Sequence, residues 1–114
     1  MSSIFTKIIN GEIPARVVRR TPEMIAFHDV NPQAPVHVLV VPVREGVAVR
    51  DFTGPEGERL LGRLMAFAAE VATELGLDAG GYRIVTNTGR DGGQSVDHLH
   101  LHVLGGRPLA WPPG

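Results

Sequence analysis

Three of the five histidines alternate with apolar residues in the segment His98-Leu99-His100-Leu101-His102-Val103. In a β-strand, successive side chains point to opposite faces, so this spacing predicts three imidazoles on one face and three aliphatic side chains on the other. Phosphoryl transfer asks mainly for positioning and charge stabilisation, and a neutral imidazole is a competent nucleophile near neutral pH. The pattern therefore favours attack on phosphorus by the central His100, while the neighbouring imidazoles donate hydrogen bonds to the developing negative charge.

Two other interpretations of the histidine segment remain open. The strand face can simply be solvated, or two of its imidazoles can bind a zinc ion together with His37. Successive imidazoles on one strand lie roughly 7 Å apart and the outer two roughly 13 Å, whereas Zn–N bonds measure about 2.0–2.1 Å. All three can share one ion only with distortion, so we expect no resident metal and no other cofactor.

A glycine-rich segment, Asn87 to Ser95 (NTGRDGGQS), directly precedes the histidines. Its glycines allow a close backbone approach, and its amide groups can cradle phosphate oxygens. Such a segment is by itself just as typical of a plain hairpin turn. Its position beside the histidine segment favours a phosphate site. The sequence has no cysteine and no G-x-S-x-G element, which disfavours other nucleophiles.

The histidine segment, extended to Leu104, resembles the histidine triad motif His-φ-His-φ-His-φ-φ, in which φ is apolar. The segments IFTKIINGEIPA, AFHDVNPQAPVHVLVVP, NTGRDGGQSVDHLHLHVLGGR and WPPG are similar to the nucleotide-binding (HINT) branch of the histidine triad (HIT) superfamily. This resemblance implies a hydrolase of purine nucleoside 5′-phosphoramidates and nucleoside monophosphate esters, of the AMP-lysine type, that acts through a nucleotidyl-histidine intermediate. It also implies purine nucleotide (AMP or GMP) binding and a homodimer.

The resemblance assigns roles by matching position. It makes His100 the nucleophile and places His102 at the non-bridging phosphate oxygens, with Asp29 on the ribose hydroxyls. The implied catalytic residues are His37, Ser95, His98, His100 and His102. The implied nucleotide-binding residues are Phe5, Ile8, Ile13, Phe27, His28 (or Ile25 in its place), Asp29, Asn87, Gly93, Val96 and Trp111. Without the resemblance, the apolar members would be interpreted as core, Asp29 as a turn residue and His37 as an interior histidine.

Several features separate the branches of the superfamily. Nucleotide transferases carry Gln in place of the last histidine, so His102 favours hydrolysis. Dinucleoside polyphosphate hydrolases of the fragile-histidine branch generally lack the GGR…WPPG ending and are the alternative enzyme, while a nucleotide-binding module with little turnover is the non-enzymatic alternative. Asp97 stands where many relatives carry an aromatic residue and Ala110 where some carry His, and these departures leave the leaving-group preference open.

The remaining pattern indicates the elements that position these residues. Apolar residues at three- and four-residue steps predict one long helix from Pro55 to Leu75, and a short helix is predicted behind Ser3 with a stop at Gly11. The predicted strands are Arg16 to Arg20, Met24 to His28, VHVLVVPV, Tyr82 to Thr86 and His98 to Leu104. This order of elements predicts an α+β fold with a five-stranded, mainly antiparallel sheet, one long helix and one short helix.

Length and charge restrict the possible functions further. The 114 residues, 43% hydrophobic and 20% charged, fit a single HIT domain spanning residues 1–114. The formal net charge of −1 disfavours binding to extended nucleic acid. Because the sequence has no stretch of about 18 apolar residues, we expect no membrane association and a cytoplasmic location. An unpaired sheet edge would favour a homodimer with a continuous sheet, in which Trp111 lies near the partner's active site.

Overall fold

The computed structural model describes residues 3–114 and contains one five-stranded sheet in the order β1-β2-β3-β5-β4. The strands are β1 (Val17–Arg20), β2 (Met24–His28), β3 (Val36–Pro42), β4 (Tyr82–Val85) and β5 (Leu101–Gly105). The helices are α1 (Ile4–Ile9), α2 (Gly54–Glu74) and the single turn α3 (Gly89–Gly92), with a 3₁₀ turn at Val49–Asp51. All four pairs of neighbouring strands are antiparallel. The predicted α+β class, the strand number and the strand direction are confirmed.

The long helix α2 covers one face of the sheet. Its stripe of Leu60, Leu64, Phe67 and Val71 is buried and belongs to the same core as Val103 of β5. Pro55 lies in the first turn, where its missing N–H costs no hydrogen bond, and Gly76 follows the helix with a φ of +76°. A left-handed φ is costly for any residue that has a Cβ, so glycine at this position ends the helix. The prediction of one long amphipathic helix is confirmed.

The short helix α1 lies on the opposite face of the sheet. Ser3 caps it, since the Ser3 hydroxyl oxygen accepts the Thr6 N–H at 3.0 Å. Phe5 and Ile9 are buried in a second, smaller core with Phe27 of β2 and with further residues of β2 and β3. This core is the apolar side of the region into which the imidazoles project.

The predicted strand from His98 to Leu104 is wrong at its start, because regular pairing begins only at Leu101. Before that point, the Leu99 N–H donates to the carbonyl of Gly46, in the loop after β3, at 2.8 Å. The Thr86 hydroxyl donates to the His100 carbonyl at 2.9 Å, so a side chain takes the acceptor that a neighbouring strand would use. The one-turn helix α3 was also not predicted within the glycine-rich segment.

Within the described part of the chain, no helix combines the length and the apolar character that crossing a bilayer requires.

Candidate active site

The predicted division of the histidine segment between two faces is confirmed. Leu99 and Leu101 are buried in the core under α2. On the other face, the Phe5 ring lies 5.0 Å from the His100 ring and 6.0 Å from the His98 ring, centroid to centroid. The centroids of His100 and His102 are 5.0 Å apart, closer than the spacing expected for a regular strand. His102 lies in β5 and His100 just before it, since the regular strand begins at Leu101.

A cavity of about 280 Å³ opens on this face, and we call it the histidine cavity. Of the residues predicted from the sequence, those that line it are Phe5, Ile8, Ile13, Phe27, His28, Asp29, Ser95, Val96, His100 and His102. It is also lined by Ile4, Pro14, Ala15, Val30 and Leu39, which were not predicted. Ile4 precedes Ile8 by one helical turn, and Leu39 follows His37 by two strand positions, so periodicity could have identified both.

The orientation of His100 is set by a backbone group. His100 is buried, with 4% of its surface exposed. Its Nδ1 lies 2.7 Å from the carbonyl oxygen of His98. A carbonyl oxygen only accepts, so we assign the proton of neutral His100 to Nδ1. The lone pair is then on Nε2, and this ring lines the cavity in the tautomer that a nucleophile needs.

The tautomer of His102 is set through a chain of hydrogen bonds that starts at the backbone. The Gln33 N–H donates to Nδ1 of His37 at 3.0 Å, so neutral His37 carries its proton on Nε2. That Nε2 lies 2.9 Å from Nδ1 of His102 and donates to it. His102 must then hold its own proton on Nε2. This series of hydrogen bonds begins at the Gln33 amide and fixes the Nε2–H of His102 as a donor at the cavity. Such a donor can stabilise negative charge on phosphate oxygens.

Burial keeps these imidazoles neutral near neutral pH. Desolvation lowers the pKa of His37, against the opposing attraction of Asp29. Desolvation also lowers the pKa of His100, and the hydrogen bond to the His98 carbonyl opposes it. The pKa of His102 falls to about 4 through desolvation, with repulsion from His100 and His37 adding to it. A nucleophilic imidazole must be unprotonated, so these shifts favour the reactive form.

Asp29 makes contacts of two kinds at the mouth of the cavity. One carboxylate oxygen, Oδ1, accepts the Asn31 N–H at 2.8 Å and so stabilises the turn after β2. The other, Oδ2, lies 3.4 Å from Nε2 of His37. The interpretation as a turn residue is therefore correct for one oxygen. Since Asp29 also lines the cavity, a carboxylate remains available there as an acceptor.

Asp29, His37 and His102 place three potential metal-ligating atoms within 4.8 Å of one another. A histidine ligand binds a metal through an unprotonated nitrogen. Nδ1 of His37 already accepts the Gln33 N–H, so the nitrogen that faces the cluster carries the proton. Metal binding there would require an imidazolate or the loss of that backbone hydrogen bond. The hydrogen-bond chemistry of this group therefore suits a proton-donating network better than a zinc site.

Several predicted residues lie outside the histidine cavity. His98 and His37 are buried and do not line it, but each is hydrogen-bonded to an imidazole residue that does, His98 to His100 and His37 to His102. Asn87 lines a separate cavity with Val85 and Leu104. Of the two alternatives for the purine wall, Ile25 is fully buried and His28 lines the cavity, so the geometry selects His28.

The glycine-rich segment is organised by a residue that the sequence reasoning missed. The side chain of Gln94 accepts the Gly89 N–H at 3.0 Å and donates to the Val96 carbonyl, also at 3.0 Å. Gly93 ends α3 with a φ of +79° and does not line the cavity. Gln94 thus connects the start of α3 to the stretch that presents Ser95 and Val96. A glutamine in a glycine-rich loop carries no sequence signal for this role.

The C-terminal residues lie away from the histidine cavity of their own chain. Trp111 is 81% exposed. The guanidinium of Arg83 donates to the carbonyls of Leu109 and Ala110, at 3.4 and 2.9 Å, and so holds the chain just before it. Asp97 is exposed and lines a separate cavity of about 290 Å³ together with Ser3 and His98. Neither Asp97 nor Ala110 contacts the histidine cavity.

The chain is similar to known proteins in both sequence and fold. The HIT domain family model matches residues 10–109. Over 107 residues, the chain is 46% identical to the purine nucleoside phosphoramidase of Escherichia coli K12, covering 94% of this chain and 89% of that protein. It is 52% identical to an uncharacterized HIT-like protein of Synechocystis, with 98% and 96% covered. A HIT family hydrolase from Legionella pneumophila superposes with a TM-score of 0.94 at 42% identity, covering 99% of this chain and all of that chain.

Proposed function

Because this chain belongs to the HIT domain family, and the HINT resemblance of its sequence is confirmed by a purine nucleoside phosphoramidase among its relatives, we propose that it hydrolyses purine nucleoside 5′-phosphoramidates. Nucleoside monophosphate esters, including the AMP-lysine type, are the related substrates. The observation that carries the proposal is the hydrogen bond from Nδ1 of His100 to the His98 carbonyl, at 2.7 Å. It leaves the Nε2 lone pair for attack on phosphorus.

The reaction proceeds in two displacements at phosphorus. Nε2 of His100 attacks the α-phosphorus, an N–P bond forms, and the bond to the leaving amine or alcohol breaks. The leaving group departs with the bonding electron pair and takes up a proton from solvent. Water then attacks the nucleotidyl-histidine and gives a proton back to solvent, while the N–P bond breaks and its electron pair returns to Nε2. This step releases the nucleoside monophosphate and restores neutral His100. The lowered pKa of His100 supports this role, because the ring starts the cycle unprotonated.

His102 stabilises the charge that develops on the phosphate. Its Nε2–H is the end of the chain that begins at the Gln33 amide and passes through His37. A donor that is fixed before the substrate arrives costs no reorganisation during the reaction. Ser95 lines the same cavity and adds a hydroxyl that can contact the phosphate or the leaving group.

The nucleoside occupies the apolar side of the histidine cavity. The wall consists of Phe5, Ile8, Ile13 and Phe27, with His28 beside them. Such a wall holds a purine by burial of apolar surface and contributes little to discrimination between adenine and guanine. Asp29, which also lines the cavity, accepts hydrogen bonds from the ribose hydroxyls.

We further propose a homodimer that extends the sheet across two chains. β1 and β4 are the edge strands of the sheet, and an unpaired edge favours strand pairing with a second copy. Trp111 is exposed and has no place in the core of its own chain. In the dimer, it would lie beside the partner's cavity and contact the leaving group. Asn87, on the β4 side of the sheet, would belong to the same leaving-group region.

The test of the proposed function is turnover of a fluorogenic adenosine phosphoramidate by the purified protein. We expect release of AMP and the free amine, and trapping of labelled AMP on His100 after a quench that avoids acid. The competing function is a nucleotide-binding module with little turnover. That module would bind AMP with the same affinity and leave the phosphoramidate unhydrolysed over many hours.

A further inference from the structure

Of the three imidazoles of the histidine segment, that of His98 does not line the histidine cavity. Only 1% of its surface is exposed. Its backbone carbonyl nevertheless accepts a hydrogen bond from the Nδ1–H of His100 and so fixes the tautomer and the orientation of that ring. The position of His98 therefore determines the geometry of the nucleophile. The contacts that hold His98 in place therefore bear on the reaction at His100.

Both nitrogens of the His98 ring are bound. Nε2 lies 2.9 Å from the carbonyl oxygen of Pro42, which can only accept, so Nε2 carries a proton. In the neutral ring, Nδ1 is then an acceptor, and it lies 2.7 Å from the hydroxyl oxygen of Ser3. Ser3 must be the donor in this contact. Its oxygen also accepts the Thr6 N–H, so a single hydroxyl joins the start of α1 to His98.

Thr6 does not replace Ser3 as the donor. Its hydroxyl oxygen is 3.4 Å from Nδ1 of His98, a long contact. Its proton is directed to a carboxylate oxygen of Glu45 at 2.9 Å. A charged acceptor holds that proton more strongly than a neutral imidazole does. Ser3 is therefore the residue of the described chain whose proton is directed to this nitrogen.

We propose that Ser3 is a positioning residue for the reaction at His100, acting through the side chain and the carbonyl of His98. This inference rests on the proposed function for its catalytic consequence and on the structure for its contacts. Removing the hydroxyl leaves the buried Nδ1 of His98 without a donor. The ring can then turn or exchange its tautomer, and the carbonyl that orients His100 moves with it. The loss of activity should appear in kcat, because neither Ser3 nor His98 lines the histidine cavity.

The competing explanation is that Ser3 only caps helix α1. Substitutions at the same position separate the two roles. Alanine is a poor N-cap and glycine an adequate one, yet both lack the hydroxyl. Threonine keeps both the cap and the donor. A capping role predicts that Ser3→Ala is more harmful than Ser3→Gly, whereas a positioning role predicts equal losses of kcat from the two variants.

The experiment compares Ser3→Ala, Ser3→Gly and Ser3→Thr with wild type, measuring kcat, KM and Tm with the fluorogenic phosphoramidate. The matched control is Thr73→Ala, which removes a hydroxyl that donates to the Ala69 carbonyl and to the Asp78 carboxylate at the end of α2, on the sheet face opposite α1. We expect kcat to fall by about tenfold to a hundredfold in both Ser3→Ala and Ser3→Gly. KM should change little, Ser3→Thr should be close to wild type, and the control should lower Tm alone.

A second readout does not depend on activity. In ¹H–¹⁵N spectra of the imidazoles, wild type should show a single Nε2–H tautomer for His98 and a protected Nδ1–H for His100. Ser3→Ala should exchange the Nδ1–H faster, and Ser3→Thr should restore its protection. If wild type shows no turnover, the proposed function fails and these spectra still decide the positioning role. Wild-type kcat in Ser3→Gly, or unchanged His98 and His100 signals in Ser3→Ala, would overturn the inference.

Discussion

The floor and the wall of the histidine cavity are built in opposite ways. The floor, His100 and His102, is polar, and each ring nitrogen that faces the protein has a defined hydrogen-bond partner. The wall, which contains Phe5, Ile8 and Phe27, is apolar and held by packing. Hydrogen bonds depend on direction, so a small displacement changes the floor, while packing tolerates exchange of similar shapes. Chemistry should therefore be lost by changes in the floor, and affinity by changes in the wall.

The largest expected effect comes from removing the nucleophile. His100→Asn or His100→Gly should lower phosphoramidate hydrolysis by about a thousandfold or more, because no other cavity group replaces the covalent route. AMP affinity, measured by calorimetry, should stay close to that of wild type, since the wall and Asp29 are intact. Near-normal turnover in either variant would remove His100 from its assigned role and end the distinction between floor and wall.

Asp29 lies between the floor and the wall, and its substitution should weaken binding of the ribose. Asp29→Ala should raise KM for ribonucleotide substrates by about tenfold, and far less for the 2′-deoxy analogues, because the deoxy sugar lacks one of the two hydroxyls. Asp29→Asn is the matched control for the turn, since an amide oxygen can still accept the Asn31 N–H. An equal effect of Asp29→Ala on both sugars would mean that Asp29 is only a turn residue.

The wall itself should respond through binding. Ile8 is half-buried and lines the cavity, so Ile8→Ala removes apolar contact with the nucleoside without emptying the main core. We expect KM to rise by about fivefold, corresponding to about 1 kcal/mol of lost burial, with kcat unchanged. A fall in kcat without a change in KM would show that the wall positions the reacting atoms.

The floor should also make stability depend on pH. Burial lowers the pKa of His37, His100 and His102, so below about pH 6.5 the unfolded chain binds more protons than the folded one. The free energy of unfolding should therefore fall as pH decreases from about 7.5 to about 5, before the carboxylates titrate. Calorimetric Tm values across this range measure it, and His102→Asn should reduce the slope. A Tm that does not change over this range would contradict buried neutral imidazoles.

The sequence predicted the parts of this site that follow from periodicity. Alternation in the histidine segment gave the correct division between the two faces, and the stripe of α2 gave the correct covering layer. Irregular backbone was not predictable in the same way. The start of β5 at Leu101 depends on the Leu99 contact with Gly46, and the loop before it depends on Gln94. The Leu99 contact with Gly46 and a further hydrogen bond from the Gln94 amide to the Val47 carbonyl join segments that are distant in sequence, and no local pattern encodes them.

The smallest expected effect concerns Trp111, whose predicted role depends on a second chain. Pro112 and Pro113 follow it and keep the segment out of helix, and the hydrogen bonds of Arg83 to Leu109 and Ala110 direct the tail across β4. An aromatic residue that is 81% exposed gains nothing from its own core, so its contribution must come from something bound beside it.

Trp111→Ala should therefore leave the homodimer intact by light scattering and change the ranking of leaving groups by about twofold to fivefold, a weight typical of an exposed aromatic contact. KM for a common nucleoside with a small leaving group is the control and should stay constant, because the purine would touch the wall and not the tryptophan. A monomer at micromolar concentration with an unaltered ranking would contradict both the dimer and the role of Trp111. A dimer with an unaltered ranking would agree with the continuous sheet. It would also mean that the floor residues His100 and His102, and not Trp111, determine the leaving-group preference.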